Sequence, residues 1–235
     1  WFGGETATPP DFTHAARIFP LVGALIGAAG GVVLLVASGL GVPFWVAASL
    51  AILTTVAISG ALHEDGLADT TDALGGGSIE KRLAILDDSR VGTYGALALV
   101  FSVLLRVTAL VAIGSASPIR AALVLVAVEA VSRAAMVRFW HDLPPARPGG
   151  LSTTTGSPDQ NAMLVGIAIA TVIAIVLCVP AIGLWPTVAA AVLAAIATFA
   201  VMRAAAHLFG GRTGDLIGTC QQVVALAFLV GASTA

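Results

Sequence analysis

Residues 18–62 read IFPLVGALIGAAGGVVLLVASGLGVPFWVAASLAILTTVAISGAL, forty-five consecutive positions without one charged side chain. As a single helix the stretch would be about twice as long as a bilayer's hydrocarbon core is thick, so it reads as two spans of about 20 residues each. Ser38-Gly39-Leu40-Gly41-Val42-Pro43 supplies the tight turn between them. The run lacks the alternation of a barrel strand, and lipid offers backbone groups no partners outside helices and closed barrels. Gly23, Gly27, Gly30 and Gly31 recur at a spacing that suits close helix packing. The stretch therefore predicts an all-α, polytopic integral membrane protein.

Working outward, further apolar runs extend from about 95 to 113, 119 to 140, 162 to 184, 187 to 207 and 222 to 235. Together they predict about seven transmembrane helices. The bulk numbers agree: of 235 residues 58% are apolar and 10% charged, where a soluble domain carries about a quarter charged. Three polar segments, 63–95, 141–161 and 209–222, interrupt the runs and are expected to form the active-site side of one catalytic domain, 1–235. With the N-terminus cytoplasmic, nine of the 11 basic residues fall on that side or at span ends facing it, as the positive-inside rule asks. The expectation is a cytoplasmic N-terminus with the three segments facing the cytoplasm. A net charge of −2 supplies no surplus for gripping nucleic acid. Cys178 and Cys220 sit in apolar context without metal-site spacing, and read as packing residues. Residues 1–10 are polar and unlike a secretory signal; because the chain opens on Trp1, further N-terminal residues are expected to precede it.

Seven of the 13 acidic residues fall between His63 and Arg90. On a helix, Asp65, Asp69 and Asp72 lie within about 60° of one another, so three carboxylates share a face at the end of an apolar span. Like charges so placed need a cation to offset them, and an all-oxygen set favours a hard ion such as Mg²⁺. Asp87, Asp88 and Arg90 follow in the same segment; Gly92 and Gly95 permit close backbone approach, and Arg90 suits a phosphate oxygen. Near the other end, Gly210-Gly211-Arg212-Thr213-Gly214-Asp215 repeats glycines, an arginine and an acid at the opening of a helix. Acids for a metal and arginines for anionic oxygens, without a covalent-nucleophile motif, suggest direct displacement on a pyrophosphate-type substrate.

Other charges have structural readings. Glu129 and Arg133, one turn apart within a span, are expected to pair internally. Arg106 has no acid nearby in sequence and should reach another helix or a lipid headgroup. His14 and His207 read as interfacial or packing residues, and Trp45, Trp140 and Trp185 sit at span ends as belt residues do.

The run His63-x-Asp65-Gly66-Leu67-Ala68-Asp69-Thr70-x-Asp72-Ala73, with Arg82-Leu83-x-Ile85-x-x-Asp88-Ser89-Arg90-x-Gly92-Thr93-Tyr94-Gly95 after it, resembles the cobalamin synthase, or adenosylcobinamide-GDP ribazoletransferase, family. Ser132-Arg133, Arg147-Pro148-Gly149-Gly150-Leu151 and Thr213-Gly214-Asp215-x-x-Gly218 extend the likeness along nearly the whole chain. The resemblance implies a multi-pass enzyme of the bacterial inner membrane with its active site facing the cytoplasm. It would join adenosylcobinamide-GDP to α-ribazole or its 5′-phosphate and release GMP, with Mg²⁺. It also implies Asp65, Asp69, Asp72 and Asp88 as metal ligands or bases beside His63, and Arg90, Arg133, Arg147, Arg212 and Asp215 on the substrate. Asp87 stands where the family often has Lys, and Gln222 near a position it often fills with Glu. A homo-oligomer is compatible with the sequence. Two other classes use similar groups: a cation transporter, which would place its charges near the midplane, and a CDP-alcohol phosphotransferase, whose Asp-Gly-x-x-Ala-Arg pattern is not matched because Asp65-Gly66 is followed by Leu67-Ala68-Asp69.

Overall fold

The structure, a computed structural model, describes residues 12–88, 90–147 and 156–234. The segment 1–10, Ser89 and the motif residues Pro148 to Leu151 lie outside them. A short turn α1 (Phe12–Ala15) and a 3-10 turn (Ala16–Ile18) lead into α2 (Phe19–Gly39), which is followed by α3 (Phe44–Ser59), α4 (Leu62–Ala73) and α5 (Ile79–Leu86). Then come α6 (Thr93–Gly114), α7 (Pro118–Asp142), α8 (Gln160–Ile182) and α9 (Leu184–Ala204), the last running on through a π-helical turn (Ala205–Phe209), and finally α10 (Gly214–Ala232).

Five of these helices are long and apolar enough to cross a bilayer on their own, and a sixth crossing counts α3 with the bent α4. The seventh expected span, α7, is also long enough at 25 residues, but Arg120, Glu129, Arg133 and Arg138 lower its apolarity. It lies inside the bundle instead, with Val124, Leu125, Val128, Val137 and Phe139 fully buried. The glycines of α2 make room for it. A Cβ on Gly27 would stand 2.6 Å from the Leu125 carbonyl oxygen, and one on Gly31 would stand 3.3 Å from Ala122, so the two helices run antiparallel in near-backbone contact. The packing role read from those glycines is the one they have.

Where the sequence suggested a polar segment through residue 222, α10 already begins at Gly214. The Thr213 hydroxyl caps it, accepting from the Leu216 N–H at 3.3 Å. Thr219, Gln221 and Gln222 are therefore helical and buried, with their polar atoms met by neighbouring helices.

The three polar segments meet at one end of the bundle. Arg212 and Pro144–Ala146 exchange backbone hydrogen bonds, Arg212 N–H to the Pro144 carbonyl at 2.8 Å and Ala146 N–H to the Arg212 carbonyl at 2.9 Å. Arg82 donates to the Leu208 carbonyl at 3.2 Å, which ties α5 to the π-helical turn.

Candidate active site

The acidic helix is aimed by a hinge. Gly60 and Ala61 both adopt the left-handed conformation, at φ 65° and 57°, and turn α4 through 90° from α3. For Ala61 this conformation costs about 1–2 kcal/mol, a strain that the packing of α4 must offset. We read α3 as the crossing segment and α4 as a charged helix that turns away from it.

Gly66 sets how close α4 comes to α10. A Cβ there would lie 2.6 Å from the Asp215 carbonyl oxygen and 2.9 Å from its Cα, so α4 rests directly on the first turn of α10. The Thr219 hydroxyl lies 2.8 Å from both the Gly66 carbonyl and the Thr70 hydroxyl and fixes the crossing. This contact brings Asp215 to the face that carries exposed Asp65 and half-buried Asp69. Burial, and then the charges of Asp65, Asp215 and Asp72, push the Asp69 carboxyl up to about 6. The face thus carries a negative field, offset in part by the charge of Arg147 on Asp215.

The remaining expected site residues are placed differently. Asp72 accepts the Gly92 N–H at 2.7 Å and the Gly95 N–H at 2.9 Å, so both of its oxygens cap α6. The two glycines give that carboxylate room: a Cβ on Gly92 would fall 2.5 Å from it. Asp88 pairs with Arg90 through Nε at 3.0 Å and Nη2 at 2.6 Å, and the hydrogen bonds from Arg90 hold its carboxyl at about 2. Arg147 makes two 2.6 Å contacts to Asp87, the acid that the family pattern left aside, and these hold Asp87 below the usual carboxylate range. Both pairs are solvent-accessible, and such pairs are worth about 0–1 kcal/mol.

Two of the expected site arginines are buried and engaged. Arg133 pairs with Glu129 on its own helix, as expected. Arg212 donates to the Trp140 carbonyl at 3.0 Å, to the Leu143 carbonyl and to Ser157 Oγ at 2.6 Å, and so satisfies the last carbonyls of α7. His63 is half-buried at the start of α4 and borders a small chamber with Glu64, Arg106, Glu129 and Arg133. The sequence reading passed over Glu64, which takes the charge of Arg106 at 2.9 Å. Arg106 does reach another helix; the available signal was an unpaired arginine in a span.

Among the described residues no three His, Cys, Asp or Glu side chains converge closely enough to cage an ion by themselves. Mg²⁺ keeps several waters and is bound through one or two carboxylates plus substrate phosphates, so this arrangement suits a site that substrate completes.

A family model for cobalamin-5-phosphate synthase matches residues 4–233. The chain belongs to the cobalamin-5-phosphate synthase family. Relatives named adenosylcobinamide-GDP ribazoletransferase include those of Azorhizobium caulinodans, 48% identical over 97% of this chain and 86% of the relative, and of Allorhizobium ampelinum, 44% identical over 96% and 87%. The Brucella melitensis relative of the same name is 40% identical over 98% of this chain and 88% of its own length. No solved structure matches the chain. Of the acids in the family's motifs, the geometry gathers Asp65, Asp69 and Asp215 on one face, although 150 residues separate Asp65 from Asp215.

Proposed function

We propose that this chain is an adenosylcobinamide-GDP ribazoletransferase, joining adenosylcobinamide-GDP to α-ribazole or its 5′-phosphate late in cobalamin biosynthesis and releasing GMP. The observation that carries this reading is the junction at Gly66, which brings Asp65, Asp69 and Asp215 together with half-buried Arg147 close enough for its charge to act on Asp215. A ribazole hydroxyl oxygen forms a bond to the phosphorus attached to cobinamide. The bond from that phosphorus to the oxygen of the GMP phosphate breaks, and the hydroxyl proton passes to a carboxylate of the face. Arg90 and Arg147 exchange their weak surface pairs with Asp88 and Asp87 for phosphate oxygens.

The donor set fits Mg²⁺, since it is all oxygen and sets several carboxylates on one face. One or two carboxylates among Asp65, Asp69 and Asp215 would hold the ion together with substrate phosphate oxygens. When bound it would neutralise charge on the pyrophosphate oxygens. Asp72 and Asp88 are already engaged, by α6 and by Arg90, and support the site from its edges. The detergent-purified chain should release GMP from adenosylcobinamide-GDP only when α-ribazole or its phosphate is present. EDTA should stop the reaction and added Mg²⁺ restore it; release that persists in EDTA would refute the metal assignment.

The proposed location is a bacterial inner membrane, with the N-terminus and the acidic face cytoplasmic, supported by the distribution of basic residues. Alkaline phosphatase fused after residue 150 should be inactive in cells; an active fusion would invert the topology.

A further inference from the structure

A buried pair of charges joins the first turn of α4 to α6. Glu64 Oε1 accepts from Arg106 Nη1 at 2.9 Å and from Gln222 Nε2 at 3.0 Å. The Glu64 and Arg106 side chains are only 10% and 4% exposed. Gln222 Oε1 in turn accepts from the Ser102 hydroxyl at 3.2 Å. Both charged residues border a cavity of about 10 Å³, room for a single water. Glu64 Oε2 and Arg106 Nη2 are buried with no hydrogen-bond partner among the described residues, the two atoms such a water would satisfy.

A buried ion pair is often no better for stability than a well-packed apolar pair, so it calls for another explanation. The supports of α4 supply one. Its C-terminal end is tied to α6 through Asp72 and its middle to α10 through Gly66 and Thr219. Its N-terminal end leaves two left-handed residues with no capping side chain. That turn rests on Gly218 of α10 through His63, and Glu64 adds the hydrogen bonds that fix its rotation, to Arg106 of α6 and Gln222 of α10. We propose that Glu64, bonded to Arg106 and Gln222, is the positioning residue of the acidic face, fixing the rotation of α4 and so where Asp65 and Asp69 stand relative to Asp215. The inference rests on the proposed assignment of those acids.

The test replaces both charges. E64M/R106M should fold with an unfolding midpoint no lower than that of the unsubstituted chain, since no charge is left unpaired. Its kcat for GMP release should fall about 10–100-fold while KM for both substrates stays within about threefold, and Mn²⁺ should bind the substrate-free chain about tenfold more weakly by electron paramagnetic resonance. Unchanged kcat and Mn²⁺ affinity would overturn the proposal. If that variant does not fold, E64Q and E64Q/Q222E decide. The second returns a carboxylate to Arg106, but from α10, so stability should recover while kcat and Mn²⁺ affinity stay low. Recovery of all three together would show that only charge balance was needed. The Mn²⁺ comparison needs no turnover: absence of GMP release by the unsubstituted chain counts against the ribazoletransferase reading and leaves this one to be settled by binding.

Discussion

Asp69→Asn is expected to lower GMP release by about 10²–10⁴-fold, the range for loss of a group acting directly on the reacting atoms, while leaving the chain at least as stable. The two effects have one cause. Asp69 is half-buried among Asp65, Asp215 and Asp72, and its carboxyl is raised to about 6. A carboxyl raised in the folded state binds its proton more tightly there, so neutralising it favours folding at neutral pH. Asn keeps the shape and removes the charge, so the unfolding midpoint should stay level or rise as the rate collapses. Asp72→Asn makes the opposite trade. It removes an oxygen acceptor from the N-terminus of α6, at a cost of about 0.5–2 kcal/mol, the usual worth of such a cap, and lowers the midpoint. Initial GMP rates and thermal unfolding on the same preparations separate the two roles. An Asp69→Asn chain that keeps its rate would remove Asp69 from the chemistry.

Gly66→Ala is expected to be nearly as damaging to the rate, through geometry alone. Its new methyl would meet the Asp215 carbonyl oxygen at 2.6 Å and the Asp215 Cα at 2.9 Å. Those are backbone atoms of a helix's first turn, and they retreat only if α4 and α10 separate. Overpacking of this kind costs about 1–3 kcal/mol, and here the strain falls on the junction that joins Asp215 to Asp65 and Asp69. A displacement of about 1 Å at reacting groups costs about 10²-fold in rate. Gly77→Ala, where a Cβ would meet nothing within 4 Å, is the neutral control. Wild-type turnover by Gly66→Ala would mean that the crossing tolerates separation.

The membrane class was legible in residues 18–62 because absence of charge over that length has few other meanings. The glycines of α2 were legible too, since their spacing matches the ridge they accept. The register of α10 was not: Thr219, Gln221 and Gln222 look like loop residues until Glu64, Ser132 and Thr70 appear opposite them on other helices. In the site, periodicity placed Asp65 and Asp69 on one face of α4 but could not separate them from Asp72, whose commitment to Gly92 and Gly95 depends on a fold-back 20 residues away. Arg212, which the resemblance puts on the substrate, meets the carbonyls that end α7, and nothing near it in the chain announces that partner. Partners distant in the chain leave no local pattern.

The near-backbone contact between α2 and α7 also bears on how the protein is made. With Arg120, Glu129, Arg133 and Arg138 along it, α7 is poorly suited to leave the insertion machinery alone, because each charge at mid-membrane is costly. It follows α2 in the chain, and the glycine groove of α2 is shaped to receive it. The groove is expected to ease the entry of so charged a helix, and Gly27→Ala, which fills it, should lower the yield of membrane-inserted chain.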